Sequence, residues 1–278
     1  MKTVAGRRVL ITGGAQGMGR LFAERAVRED AECVVLWDID PAALDHTLAD
    51  LTSRGGHVRA DTVDVSDREA IATAAAAVRD ELGGVDVLLN NAGVVHGNHY
   101  FWETDTERDT VSTIEINSLG PMAVAREFLP GMIESDHEAR LVNIASAAGL
   151  TANPRMAAYA ASKWAVVGWS ESVRLELQQA GFDHVKVTTV CPYYVKTGMF
   201  EGAHAALLLP LLEPDDVVTE TWKAMVRGRP FLVMPKTVML SETFKGIMPI
   251  GLRDFVADKV IGVYHTMDDF VGHGDDES

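Results

Sequence analysis

The residues Thr12-Gly13-Gly14-Ala15-Gln16-Gly17-Met18-Gly19 stand between a short apolar run, Arg8 to Thr12, and an amphipathic stretch, Gly17 to Arg28. A strand that turns through glycines straight into a helix brings free backbone N–H groups and the positive helix end to one point. That arrangement suits a phosphate or pyrophosphate. The spacing, Gly-x-x-x-Gly-x-Gly, differs from the general dinucleotide fingerprint. A loop rich in glycine only for close packing is the alternative at this stage.

Beyond the turn, short β-branched runs alternate with longer alanine-rich stretches, the rhythm of βαβ units. Strands are expected at Arg8 to Thr12, Glu32 to Asp38, His57 to Asp64, Val85 to Asn90, Leu141 to Ser146, Val185 to Cys191 and Pro230 to Met234. Helices are expected at Gly17 to Arg28, Pro41 to Arg54, Asp67 to Leu82, Thr106 to Ser135, Ala157 to Gln179 and Pro214 to Arg227. Seven strands joined by crossovers predict an α/β, doubly wound Rossmann fold, with a seven-stranded parallel sheet and helices on both faces. At 278 residues and 47% hydrophobic composition, residues 1–278 read as one domain. Within it, 199–229 reads as a substrate-binding segment and 249–278 as an amphipathic C-terminal extension, with Leu252, Phe255, Val256, Val260 and Val263 at helical spacing. Ser66 followed by Glu69 predicts a capping box at the third helix.

A net charge of −15 argues against nucleic acid and anionic membrane surfaces as partners. Two cysteines make no disulfide framework, so a reducing, cytoplasmic setting is expected. The run after Arg8 is too short for a signal-peptide core, and no apolar run reaches the length of a membrane span. His96 and His99 lack clustered carboxylates or cysteines, so no metal site is expected.

Two further groups suggest chemistry. Asp38 ends the second strand nineteen residues past Gly19, where a carboxylate can accept both hydroxyls of a ribose. It would repel a 2′-phosphate by about 4 kcal/mol at ~4 Å and an effective dielectric near 20, and neither Gln16 nor Ile39 supplies a compensating cation. Tyr159 and Lys163 are one helical turn apart and share a face. Ser146 ends the fifth strand at the carboxyl edge of the sheet, the usual ligand position of open α/β folds.

With these pieces in order, the chain resembles the short-chain dehydrogenase/reductase family from about Gly6 to Met199. The matching residues are the Thr12 to Gly19 turn, Asp64 in Val63-Asp64-Val65, Asn90-Asn91-Ala92-Gly93, Asn117, Ser146, Tyr159 and Lys163. The resemblance implies NAD as cofactor, held by Gly13, Gln16, Gly17, Met18, Gly19, Asp38, Ile39, Asp64, Val65, Asn91, Ala92 and Gly93, by Tyr159 and Lys163, and by Pro192, Val195 and Thr197 beside the nicotinamide. It also implies Asn117, Ser146, Tyr159 and Lys163 as the catalytic set: Tyr159 as base or acid, Ser146 as donor to the substrate oxygen, and Asn117 holding a water that links Lys163 to solvent. Asn90 and Ala92 resemble residues on the adenosine side, whereas Asn91 and Gly93 can equally be read as shaping the turn. Tyr193 departs from the family's usual Pro-Gly and puts the backbone path there in question.

The Cys191 to Phe200 segment and Met267-Asp268-Asp269-Phe270 look like the retinol and hydroxysteroid dehydrogenase branch. An NAD-dependent oxidoreductase of a hydrophobic secondary alcohol or its ketone is the reading that follows. Its rival is a dinucleotide-binding regulatory protein without turnover. Trp164, Val167, Trp169 and Val173 spread around the Ala157 to Gln179 helix and predict a homo-oligomer, and the resemblance implies a homodimer or homotetramer.

Overall fold

In the computed structural model, residues 1–200, 202, 204–206, 209–239, 248–267 and 270 are described. Glu201, Leu207 and Leu208 of the expected 199–229 substrate-binding segment, and Asp268 and Asp269, lie outside them. All seven expected strands form: β1 (Arg8–Thr12), β2 (Cys33–Asp38), β3 (Val58–Thr62), β4 (Val87–Asn90), β5 (Ala139–Ile144), β6 (Val185–Pro192) and β7 (Phe231–Met234). They make one parallel sheet in the order β3-β2-β1-β4-β5-β6-β7.

Strands covered on both faces should be apolar at every position, and β2 and β5 are buried throughout. Alternation then assigns the faces. Val9, Ile11, Val34 and Leu36 pack with α1 (Gly17–Arg28), α2 (Pro41–Ser53) and α7 (Pro214–Arg227). Leu10, Val35 and Trp37 face α3 (Arg68–Leu82), α5 (Gly120–Glu134) and α6 (Ala157–Gln179). Phe22 stacks on Trp222 at 6.4 Å in the first layer, and Trp37 meets Phe128 at 5.7 Å in the second.

Some local expectations are corrected. The N-cap of α3 is Asp67, whose carboxylate accepts from the N–H groups of Glu69 and Ala70 at 2.8 and 3.1 Å. Ser66 donates instead to Asp64 at 2.7 Å. An aspartate satisfies the same orphan donors while adding a negative charge at the helix start. The expected Thr106 to Ser135 helix is not uniform: α4 (Ser112–Ile114) and α5 are interleaved with π-helical turns at Thr106–Val111 and Glu115–Leu119. The C-terminal extension forms α8 (Ile250–Phe255) and a π-turn, Val256–Ile261. Its apolar residues divide: Leu252, Phe255 and Val260 are exposed, while Ala257, Ile261 and Val263 line a pocket. No helix among the described residues is long and apolar enough to cross a membrane.

The strand order reverses between β1 and β4, and the crevice beyond their carboxyl ends is where open α/β sheets bind ligands. Asn90 of β4 and Asn143 of β5, neighbours on one side of that reversal, are joined inside the sheet by a 2.9 Å hydrogen bond.

Candidate active site

A cavity of about 560 Å³ occupies that crevice. One end is made by the glycine turn. Gly13 has φ +63°, and a Cβ there would sit 3.0 Å from the Ala92 backbone. At Gly19 a Cβ would fall 1.8 Å from the Gly13 carbonyl oxygen, so only glycine lets α1 start this close to the turn. Asn91 locks the arrangement by donating through Nδ2 to the Thr12 and Gly13 carbonyls at 3.1 Å each. The N-cap of α1, Gln16, makes no side-chain capping bond. The first N–H groups of α1 therefore remain for an anion, beside cavity-wall residues Gln16, Gly17 and Met18.

Asp38 is held at the cavity edge, accepting from Ala15 N at 3.0 Å and Asp40 N at 3.2 Å, with Ile39 exposed beside it. Asp64 keeps one oxygen on Ser66 and lines the wall with Val65. Among the described residues the cavity wall carries no arginine, and its one lysine is Lys163. Asn91, Ala92 and Gly93 are on the wall, but Asn90 is not: its amide is turned into the sheet toward Asn143 and Pro121. Gly19 is likewise off the wall, packed beneath the turn.

At the other end, Ser146 follows β5 and caps the turn Ala147–Gly149, its Oγ accepting from Ala148 N at 3.1 Å. That bond leaves the hydroxyl hydrogen free to donate. Tyr159 and Lys163 lie one turn apart on α6, both buried. Burial pushes the Tyr159 phenol up, opposed by the nearby Ser146 hydroxyl. Burial pushes Lys163 down to about 8. The Lys163 ammonium donates to Ile144 O at 3.1 Å and stands 5.7 Å from the Tyr159 ring centre.

Asn117 is off the cavity wall, in the Glu115–Leu119 π-turn. It bonds Val94 on both sides, accepting from Val94 N and donating to Val94 O at 2.8 Å each, and reaches Ser162 Oγ at 3.2 Å. A Cβ on Gly93 would meet Asn117 Oδ1 at 3.0 Å and Lys163 Nζ at 3.4 Å. Asn117 thus fixes the loop that closes over Lys163. A π-turn in mid-helix was the signal to look for, and the sequence carried it only as an asparagine of poor helix propensity.

Pro192, Val195 and Thr197 lie on the cavity wall. Tyr193 does not derail the chain: its N–H donates to Met234 O at 2.7 Å, and Leu212 N–H donates to Tyr194 O at 2.8 Å, so the path stays strand-like without a positive φ. The proposed 199–229 segment divides. Met199 and Phe200 line the cavity, Phe200 meeting Tyr159 edge-on at 6.2 Å, whereas Pro214–Arg227 is a core helix against α1. Val63, Val94, His96, Ile116, Ile144, Ala145 and Gly198 complete the wall and were not among the expected cofactor or catalytic residues. Their apolar or loop character gave no chemical signal.

Comparison with known proteins agrees. The short chain dehydrogenase family model matches residues 7–207. Epidermal retinol dehydrogenase 2 of Homo sapiens is 37% identical over 273 residues, covering 97% of this chain and 87% of that protein. Estradiol 17-beta-dehydrogenase 11 of Pongo abelii is 36% identical over 248 residues, covering 89% and 81%. A short chain dehydrogenase/reductase from Burkholderia phymatum, solved in complex with NAD, superposes with TM-score 0.80 at 29% identity, over 89% of this chain and 95% of that one. A metagenomic short-chain oxidoreductase in complex with NADP gives TM-score 0.69 at 28% identity, over 83% and 95%. With the glycine turn, the switch-point cavity and the serine, tyrosine and lysine all in register, this chain belongs to the short-chain dehydrogenase family, oxidoreductases that work with a dinucleotide, NAD or NADP.

Proposed function

We propose that this protein is an NAD-dependent dehydrogenase of bulky hydrophobic alcohols, chiefly secondary ones, and a reductase of the matching ketones. The observation that carries this reading is a single cavity with Asp38 at one end and buried Ser146, Tyr159 and Lys163 at the other. The α1 N-terminus and Gly13, Gly17 and Met18 would hold the pyrophosphate. Asp38 would accept the ribose hydroxyls, Asp64 and Val65 the adenine side, and Pro192, Val195 and Thr197 the nicotinamide side. When bound, NAD supplies the hydride acceptor and NADH the donor.

In oxidation Ser146 donates to the substrate oxygen while Tyr159 takes the hydroxyl proton, and one proton leaves toward Lys163 and the Asn117 turn. In reduction the same phenol gives its proton to the carbonyl oxygen. Burial favours the protonated phenol, so Tyr159 is set as an acid, and its use as a base requires nearby positive charge. Lys163 is the chain's own source of that charge, and its lowered pKa lets it exchange protons near neutrality. Met199, Phe200 and the tyrosines behind them make the substrate end apolar, and relatives are named for retinol and estradiol, both hydrophobic alcohols.

The test is NAD reduction followed across secondary alcohols of increasing hydrocarbon size. At about 0.8 kcal/mol per buried methylene, kcat/KM should climb about fourfold per carbon until the pocket is full. A flat profile, or a preference for small polyols, would remove the hydrophobic-substrate reading.

A further inference from the structure

Adjoining the cavity at Ser146 is a second, smaller one of about 90 Å³, with Ser146 and Tyr193 on the wall of both. Leu209, Val238, Ile261 and Val263 make its apolar sides, and Asn153 is on the same wall. At ~15 Å³ per water-sized group, it takes about six heavy atoms, one ring's worth.

Two residues of this wall each carry a buried oxygen with no hydrogen-bond partner among the described residues: Tyr193 Oη and Asn153 Oδ1. Tyr193 is 9% exposed, and leaving such a group unpaired is costly. The orientation of the Asn153 amide follows from its neighbours. Thr266 Oγ donates its single hydrogen to Val263 O at 2.9 Å, so it must receive from Asn153, 3.3 Å away. That turns Nδ2 toward Thr266 and Tyr194 Oη, the latter at 2.7 Å, and leaves Oδ1 as the unspent acceptor. Tyr194 Oη, 3.1 Å from Thr266 Oγ, fills the second lone pair of that hydroxyl, and Tyr193 Oη is left without a partner of sound geometry.

A hydroxyl satisfies both orphans at once, accepting from Tyr193 and donating to Asn153. A ketone satisfies only Tyr193, and a hydrocarbon neither. We infer that the second pocket selects, among hydrophobic alcohols, those with a second hydroxyl about one ring's breadth from the reacting carbon, read by Tyr193 and Asn153. The inference rests on the dehydrogenase reading above.

The test uses the full chain with NAD and a matched set of decalin probes: a secondary alcohol alone, the same alcohol with a tertiary hydroxyl across the ring system, and its counterpart with a ketone there. The tertiary hydroxyl cannot be oxidised, so each probe has one reactive alcohol. The diol is expected to exceed the mono-ol in kcat/KM by about tenfold, mainly through KM. The same ratio should appear in Kd for the protein–NADH complex. In Tyr193→Phe the diol-to-mono-ol ratio should collapse toward one in both measurements. Equal wild-type values, or a ratio retained in Tyr193→Phe, would overturn the inference, and a ketone matching the diol would overturn the role of Asn153. If no probe is oxidised with NAD or NADP, the dehydrogenase reading fails, and the two Kd values still decide the pocket.

Discussion

At the Asp38 end of the cavity the wall is largely backbone: the Gly13 to Gly19 turn, the uncapped start of α1, and the Asn91 clamp that ties β4 to β1. At the Tyr193 end it is made of large side chains, with Tyr193 and Tyr194 in contact at 4.4 Å and Phe200 against Tyr194 at 5.1 Å. A backbone wall tolerates almost no added atom. A side-chain wall can be resized by one substitution while the strand beneath it keeps its hydrogen bonds, as Tyr193 does. The first end therefore suits an invariant ligand portion and the second a variable one.

The sharpest way to break this comparison is to add one carbon at each end. Gly19→Ala places Cβ 1.8 Å from a backbone oxygen, so α1 must shift away from the turn. It should abolish NADH binding by fluorescence titration and lower Tm by more than any change at the other end. Phe200→Leu, by contrast, should keep NADH affinity within about threefold and alter only substrate preference. Equal loss of cofactor binding in the two variants would erase the distinction.

Next in size is Tyr159→Phe, which removes one hydroxyl and keeps the ring against Phe200. Turnover should fall about a thousandfold, the usual scale for a positioned acid–base, with NADH affinity and Tm nearly unchanged. Near-normal turnover would show that the proton moves elsewhere.

These two residues also show what the sequence could reveal. The glycine turn was legible because backbone geometry dictates residue type, and Tyr159, Lys163 and Ser146 because their chemistry and spacing coincide. The sheet followed from periodicity alone. Asn90 was misassigned because its contact with Asn143 lies 53 positions away, and no local pattern reports which way an amide turns. The α3 cap shifted by one residue because Ser66 and Asp67 compete for the same donors. The second pocket was invisible for a further reason: its wall gathers Ser146, Asn153, Tyr193, Val238 and Ile261 from distant parts of the chain.

Asp38 sets a smaller effect, on cofactor choice. With the carboxylate in place and no arginine on the wall among the described residues, kcat/KM with NAD should exceed that with NADP. Asp38→Asn keeps an oxygen for Ala15 N–H and should narrow the gap by about a hundredfold, somewhat below the bare like-charge repulsion at ~4 Å. Equal efficiency with the two cofactors in the wild type would show that Asp38 does not face the ribose.

The smallest expected effect is on stability, and it belongs to the chemical end of the cavity. Lys163 is pushed by burial from 10.5 down to about 8, so between those values the native protein binds fewer protons at this site than the unfolded chain. Stability from this group therefore rises with pH, by about 2 kcal/mol between pH 7 and 9.5. Other groups act the opposite way: the buried thiols Cys33 and Cys191, pushed up to about 11 and about 12, lose stability as pH passes the unfolded thiol value near 9, and raised Tyr159 follows near 10. Lys163→Met leaves the thiols and the phenol in place while removing the ammonium, so subtracting its Tm from the wild-type Tm at each pH isolates Lys163. The difference, measured without cofactor, should move in favour of the wild type by about 5 °C across that window. A flat difference would mean that Lys163 is as well solvated in the native site as in the unfolded chain, and the proton exchange near neutrality assigned to it would lose its physical basis.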